Sequence, residues 1–237
     1  MSAQLNVDSL SSIFDNLQIK SPSKRLQIKQ ESEKPLLVQK NPKILSDLLG
    51  ALNSQEHATW ATTDFTNKVG RLTKLEKHTI EYRRIKMLFD NSMRKPYSVC
   101  KIKRVENPYL FVQYNLKKLK KQCSERQLFH GTTESSIKAI CRENFNWRLA
   151  GTSVGHRFGR GVSFSPESNY SSYYPRNYFL PRRIMFVADV LIKSTCIGDP
   201  SMTIPIESCD TSVKPDGKVV VKYEDNDFYP KYVIYYK

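Results

Sequence analysis

The chain reads as an α+β protein, with helices packed on an antiparallel or mixed β-sheet. Three observations predict this. Segments of helical periodicity come first and a strand-rich half follows, as expected when the two element types segregate. "IMFVADVLI", residues 184–192, is nearly continuous apolar, which suits a central strand covered on both faces. No glycine-rich phosphate loop is present, and "GRG" at 159–161 does not fit GxGxxG, so a doubly wound dinucleotide fold is excluded.

The elements follow in order. Residues 1–74 are rich in Ser, Gln, Asn and Lys and carry no sustained strand pattern. They read as a poorly ordered N-terminal arm with one or two short helices. "DSLSSIFDNL" and "ILSDLLGALN" are its apolar patches at helical spacing, each with a capping Asp or Ser, and either would dock on the domain or on a partner. The folded domain is read as 75–237. In "EKHTIEYRRIKMLFDNSM", Tyr82, Ile85 and Phe89 fall at i, i+3 and i+7, one face of a helix. "YSVCKIKRVEN" alternates as a strand. "NPYLFVQYNLKKLKKQ" opens a helix with Asn107 as cap and Pro108 at its first position; Leu110, Phe111 and Tyr114 face inward. "QLF" is the next strand. Thr132 or Thr133 caps the following helix, whose core face is Ile137, Ile140 and Cys141. Past Phe145 the chain turns to short strands, "GVSF", "KVVVKY" and "KYVIYY", with Pro230 and "EDND" read as the turn between the last two.

Composition narrows the function. A chain of 237 residues buries a real core. No apolar run approaches the roughly 20 residues of a membrane span, and the N-terminus lacks a signal-peptide pattern. The expectation is a nuclear or cytoplasmic protein, not secreted and not membrane-bound. The five cysteines (Cys100, Cys123, Cys141, Cys196 and Cys209) are odd in number, widely spaced and without a CxxC pair. That argues against a disulfide framework and against a zinc site; no metal is expected. Net charge is +15. Between Lys101 and Arg126, eight basic residues (Lys101, Lys103, Arg104, Lys117, Lys118, Lys120, Lys121 and Arg126) face two acidic ones, Glu106 and Glu125. Such a segment attracts nucleic acid or an anionic dinucleotide; for any one lysine a solvated helix face is the simpler account.

A histidine closing the strand in "LFHGT" is a weak signal by itself. The ordered set is specific: "LFHGT" at 128–132, "FGRGVSFS" at 158–165, "NYSSYYP" at 169–175, then "MFVADVLIKS", "ESCDT", "VVVKY" and "YPKYVIYY". From Thr79 to Lys237 this order resembles the catalytic domain of the poly(ADP-ribose) polymerase family, the diphtheria-toxin-like ADP-ribosyltransferases. It is most similar to the branch of the TCDD-inducible polymerase and the CCCH-zinc-finger antiviral proteins. The resemblance implies a split antiparallel β-sheet core holding NAD+, as substrate, in a cleft. It implies that His130 bonds a ribose hydroxyl and that the Gly131 backbone grips the nicotinamide carboxamide. By the same resemblance Thr132 lies on the adenosine side, Ser171 binds the carboxamide, and Tyr174 stacks on nicotinamide, with Tyr170 and Tyr173 as alternatives. Cys209 matches a family position but reads as buried rather than reactive. His156 and Arg157 read as a solvated loop rather than a pyrophosphate contact.

Two departures stand out. Ser163 replaces the tyrosine of the family's "GKGxYF" strand, removing a ring whose burial is worth a few kcal/mol, about 1.5–3 by area. Val219 stands where a glutamate activates the next ADP-ribose hydroxyl in chain-building members. The expectation is therefore an NAD+-dependent mono-ADP-ribosyltransferase that modifies protein side chains, with the chain itself one candidate acceptor, and builds no chains. Its rival is a weak or inactive relative acting as a binding or scaffold module, with nucleic acid as a partner through 101–126. A general RNA-binding protein stands on charge alone, since no CCCH finger, RRM or KH pattern is present.

Overall fold

The computed structural model describes residues 60, 70–150, 156–174 and 182–237. The chain divides into two units, Met1–Lys68 and Val69–Lys237. The apolar patches at 8–17 and 44–53 lie outside the described residues.

The second unit begins with a strand. β1 (Arg71–Lys74) pairs antiparallel with β2 (Val99–Glu106) from Arg71↔Glu106 to Lys74↔Lys103. The sheet therefore starts inside the stretch read from sequence as arm. Between them lies α1 (Ile80–Ser92). The Thr79 hydroxyl caps it by accepting from the Tyr82 N–H at 3.2 Å. Tyr82, Ile85 and Phe89 are its buried face. α2 (Pro108–Lys121) follows, and the Asn107 side chain accepts from Tyr109 and Leu110 N–H at 3.1 and 3.2 Å. Three lysines, at 118, 120 and 121, occupy its last turn, where they oppose the negative end of the helix dipole. β3 (Ser124–Thr132) is longer than "QLF" suggested. α3 (Glu134–Glu143) has Thr133 at its N-cap position, although its hydroxyl bonds Ser135 and Ser136 rather than a backbone N–H.

β4 (Val162–Phe164), α4 (Ser168–Ser171), β5 (Arg183–Ile192), β6 (Thr195–Ile197), β7 (Thr211–Val213), β8 (Val220–Lys222) and β9 (Phe228–Tyr236) complete the order. They form two sheets, β1-β2-β9-β5-β3 and β4-β8-β7-β6, antiparallel throughout except for β6 with β7. β5 is almost wholly buried, but β9 is the middle strand of its sheet. One apolar cluster, with Phe145, Phe164, Phe186 and Phe228, lies on the sheet face beneath α3. Another, with Ile85, Phe89, Met185 and Tyr236, packs under α1.

Two expectations are corrected. Pro230 is not in a turn. It sits inside β9 opposite Ala188, and the register slips there because Val187 faces Tyr232, leaving Lys231 extra. A bulge is where a strand tolerates a residue without an N–H donor. Cysteine count and spacing argued against a disulfide framework and Cys209 read as a buried cysteine, yet Cys209 is half-buried and bonded to Cys196. The partners are separated by 13 residues, and no local pattern marks a pair that tertiary folding brings together.

Candidate active site

The site begins where the two sheets part. β3 pairs with β5 along nine residues, ending at Thr132↔Ile184. On its other side, β3 meets the end of β4 through one exchange. Phe129 N–H donates to Ser165 O at 2.7 Å, and Ser165 N–H donates to Phe129 O at 2.9 Å. Antiparallel exchanges of this kind recur every second residue, so Gly131 and Ser163 would come next. That pair does not form. β4 leaves with β8, and the Ser163 carbonyl accepts the Nδ1–H of His130 at 2.9 Å instead. The imidazole thus takes the place of a ladder bond. Gly131, pointing the same way as Phe129, directs its N–H and C=O into the opened gap.

The split fixes the chemistry of His130. A carbonyl only accepts, so Nδ1 carries the hydrogen and Nε2 is the acceptor of the neutral ring. Burial pushes the His130 pKa down, against the Ser163 hydrogen bond that raises it. The ring is held edge-on by Phe145, centroids 4.9 Å apart, and leans on Phe164 at 5.7 Å. At Gly131, a Cβ would run into the carbonyl oxygens of Ser171 and Tyr174. Only glycine lets the turn after α4 approach so closely. Ser171 is buried there, and its Oγ donates to Phe129 O at 3.1 Å, keeping lone pairs for a donor in the cleft.

A cleft of about 890 Å³ opens from this point, within the usual size range for small-molecule sites. His130, Gly131 and Thr132 line one wall, with Ser171, Tyr170 and Tyr174 below. Ser163 and Val219 line the β4–β8 side. Ser163 faces Val221 across the ladder, so Ser163, Val221 and Val219 share one face. Val219 is buried with Val221 and Tyr223, and Tyr170 packs against this group. Tyr170 therefore lies over the face from which a ring at 163 would have risen. Its pKa is pushed up to about 12, first by burial and then by Tyr174, whose ring centroid is 6.2 Å away. Tyr173 points elsewhere: it is 52% exposed, and Lys95 Nζ sits 3.6 Å from its ring.

Sequence reasoning missed Phe145 as the residue that holds His130. Its only signal was an aromatic directly after a helix. His156 and Arg157, read as a solvated loop, also line the cleft, and the Arg157 charge bears on Tyr170. Behind them Gly159 has φ +125°, and a Cβ there would strike the Tyr223 hydroxyl. The basic segment 101–126 is dispersed. Arg104 is buried between Glu81 and Glu106, Lys117 pairs with Glu224, Lys118 with Glu125, and Lys121 with Asp210 and Asp227.

The family model of the poly(ADP-ribose) polymerase catalytic domain matches residues 79–235. Human protein mono-ADP-ribosyltransferase PARP12 is 34% identical over 179 residues, covering 68% of this chain and 25% of that protein. Mouse protein mono-ADP-ribosyltransferase PARP11 is 31% identical over 201 residues, covering 69% of this chain and 60% of that protein. The chain thus spans about a quarter of one relative and three fifths of the other. With the family model covering the domain from α1 to the last strand and the sheets splitting at His130, the chain belongs to the poly(ADP-ribose) polymerase catalytic-domain family.

Proposed function

We propose that this chain is an NAD+-dependent mono-ADP-ribosyltransferase that modifies protein side chains, its own among them, in the nucleus or cytoplasm. The observation that carries this reading is the Gly131 peptide edge, left without a ladder partner at the split and flanked by Ser171. One N–H, one C=O and one hydroxyl match what a primary carboxamide offers. His130, with Nε2 as acceptor, suits a ribose hydroxyl beside it. The names of the relatives point the same way.

The residues present fit NAD+ and ask little covalent help of the protein. The bond between nicotinamide N1 and ribose C1′ breaks, and its electron pair leaves with nicotinamide. A lone pair of the acceptor side chain forms the new bond to C1′, and the acceptor proton passes to solvent. The chain's part is to clamp the leaving group, hold the ribose and exclude water. Buried Val219 offers no carboxylate to activate a hydroxyl of a first ADP-ribose, which supports single transfer.

Ser163 is the feature that favours a weak or inactive relative. Transfer of labelled ADP-ribose from NAD+, with the full chain beside His130→Ala and Ser163→Tyr, separates the readings. Discrete labelling that is lost in His130→Ala supports the proposal. No labelling together with no NAD+ binding by calorimetry overturns it. Activity gained only in Ser163→Tyr makes the missing ring the cause.

A further inference from the structure

The Cys196–Cys209 bond closes the foot of a loop that backs the cleft. Cys196 is the middle residue of β6, and Cys209 lies two residues before β7. β6 is an edge strand of three residues, with Thr195 and Ile197 exposed. Among the described residues it pairs only with β7, and in parallel, the less stable kind of ladder. A strand with so little burial belongs to the part of a fold that opens first. Apart from the disulfide, the foot of the loop keeps only that ladder and the Ser194 bonds to Ser208 and Asp210. The loop in turn supports a wall of the cleft. Gly198 lies against the Phe158 carbonyl, where a Cβ would collide with backbone. Met202 O accepts the Arg160 N–H at 2.8 Å, and among the described residues no other hydrogen bond joins 199–207 to the rest of the domain. The Met202 side chain packs on the Val219, Val221 and Tyr223 group, against which Phe158 and Tyr170 also pack. Phe158, Tyr170 and Val219 line the cleft.

We propose that Cys196 and Cys209 form a reversible thiol–disulfide site that exchanges with small thiols of the glutathione class, and that the bonded state holds the cleft ready for NAD+. This rests on the NAD+ reading of the cleft and on a nuclear or cytoplasmic location, where structural disulfides are rare and an accessible bond meets reducing thiols. Both cysteines are half-buried, so a small thiol reaches them. In reduction, a glutathione thiolate attacks one of the two sulfurs, and the other cysteine leaves as a thiolate and takes a proton. A second glutathione thiolate attacks the glutathione sulfur of the mixed disulfide and expels the remaining cysteine, which is protonated in turn. Two cysteine thiols and one glutathione disulfide result; oxidation is the reverse, with glutathione disulfide taking the two electrons. Once reduced, β6 frays from β7, Gly198 and Met202 lose their seats, and the wall behind Tyr170 and Val219 loosens.

The full chain, equilibrated with glutathione at graded ratios of thiol to disulfide, tests this. Alkylation and peptide mass spectrometry read the bond, hydrogen exchange reads 158–160 and 195–209, and calorimetry reads NAD+ binding. The bond should open and close reversibly. On reduction, exchange in both stretches should rise and the NAD+ Kd should increase by roughly threefold or more, as expected when a local opening becomes populated. Cys196→Ser/Cys209→Ser should stay at the reduced values at every ratio, and Cys100→Ser/Cys123→Ser should respond as the parent does. The reduced state is made from the parent itself, so the result does not depend on how the variants fold. A bond that never changes, or one that opens while exchange at 158–160 and NAD+ affinity stay the same, would overturn the proposal. So would a redox dependence that survives in Cys196→Ser/Cys209→Ser. Absence of NAD+ binding in both states would overturn the NAD+ reading instead, since exchange at 158–160 decides by itself whether the bond governs that wall.

Discussion

Gly131 has no room for a side chain, and that fact ties the site to the fold. Its Cα lies against the Ser171 and Tyr174 carbonyls, which are backbone and cannot rotate aside. Gly131→Ala should therefore force the turn after α4 outward, at a cost of about 1–3 kcal/mol typical of overpacking. NAD+ affinity by calorimetry should fall at least tenfold while the circular dichroism stays native. His130 gives a pH signature. Burial holds its folded pKa below the ordinary histidine value, so the unfolded chain takes up the proton first as pH falls. The linked loss of stability is absent above about pH 6.5, the unperturbed value, and grows below it until pH passes the depressed folded value. Urea midpoints at pH 7 and pH 5 should differ less in His130→Gln than in the parent; an equal difference would mean that the imidazole is not linked to folding. At this scale "HGT" and "NYSSYY" stood out in the sequence as motifs, and the fold brings His130, Gly131, Ser171 and Tyr174 to one cleft. The sequence was silent on Phe145, because an edge-on ring against an imidazole leaves no spacing rule to read.

Among elements, β8 shows why its sequence pattern was only half legible. "KVVVKY" reads as a strand, and it is one, but its lysine does not face water. Lys222 is fully buried, with Nζ 2.8 Å from Asp210 Oδ2, 2.9 Å from Asp227 Oδ2 and 2.8 Å from Thr211 Oγ1. Lys121, from the last turn of α2, reaches the same two carboxylates. Burial works to raise the Asp210 pKa, but the bonds from Lys121 and Lys222 outweigh it and hold the group well below the usual carboxylate range. The cluster fastens α2 to β7, β8 and the start of β9, and so fixes the strand that backs Ser163. Removing one ion leaves the others buried and unbalanced, which typically costs about 3–5 kcal/mol. Lys222→Met should lose that much in urea unfolding, and Lys222→Met/Asp227→Leu should lose clearly less than the two single changes summed. Additive losses would show that the ions act separately. Neither this cluster nor the Cys196–Cys209 bond follows a local period. Both join segments whose meeting is decided by tertiary packing, and Pro230 escaped for the same reason, since its bulge depends on the register with β5.

At the scale of the whole molecule, the contrast between helical first half and stranded second half was enough to give the α+β class, because periodicity survives in any long amphipathic segment. The edge of the domain was less visible. "RLTK" is short, half-exposed and polar enough to pass for arm. Yet β1 covers the open side of β2 with four paired residues, and Leu72 packs onto the main core. Just before it, Gly70 lies against the Cys141 carbonyl and Asn107, with φ +81°. Asn107 in turn caps α2 and donates to Cys141 O at 2.9 Å, tying α2 to the end of α3. A chain beginning at Val69 retains all of this, whereas one beginning at Leu75 bares the β2 backbone as an edge, the usual route to sheet-to-sheet association. Residues 69–237 should unfold cooperatively and run as a single species on gel filtration. Residues 75–237 should unfold at lower urea and associate with rising concentration. The comparison also reads out the site, because β2 supports β9, β9 supports β5, and β5 holds β3 at the split. NAD+ binding by calorimetry should therefore persist in the longer chain and weaken in the shorter one. Equal stability and equal binding in the two would show that the domain needs no edge strand before α1.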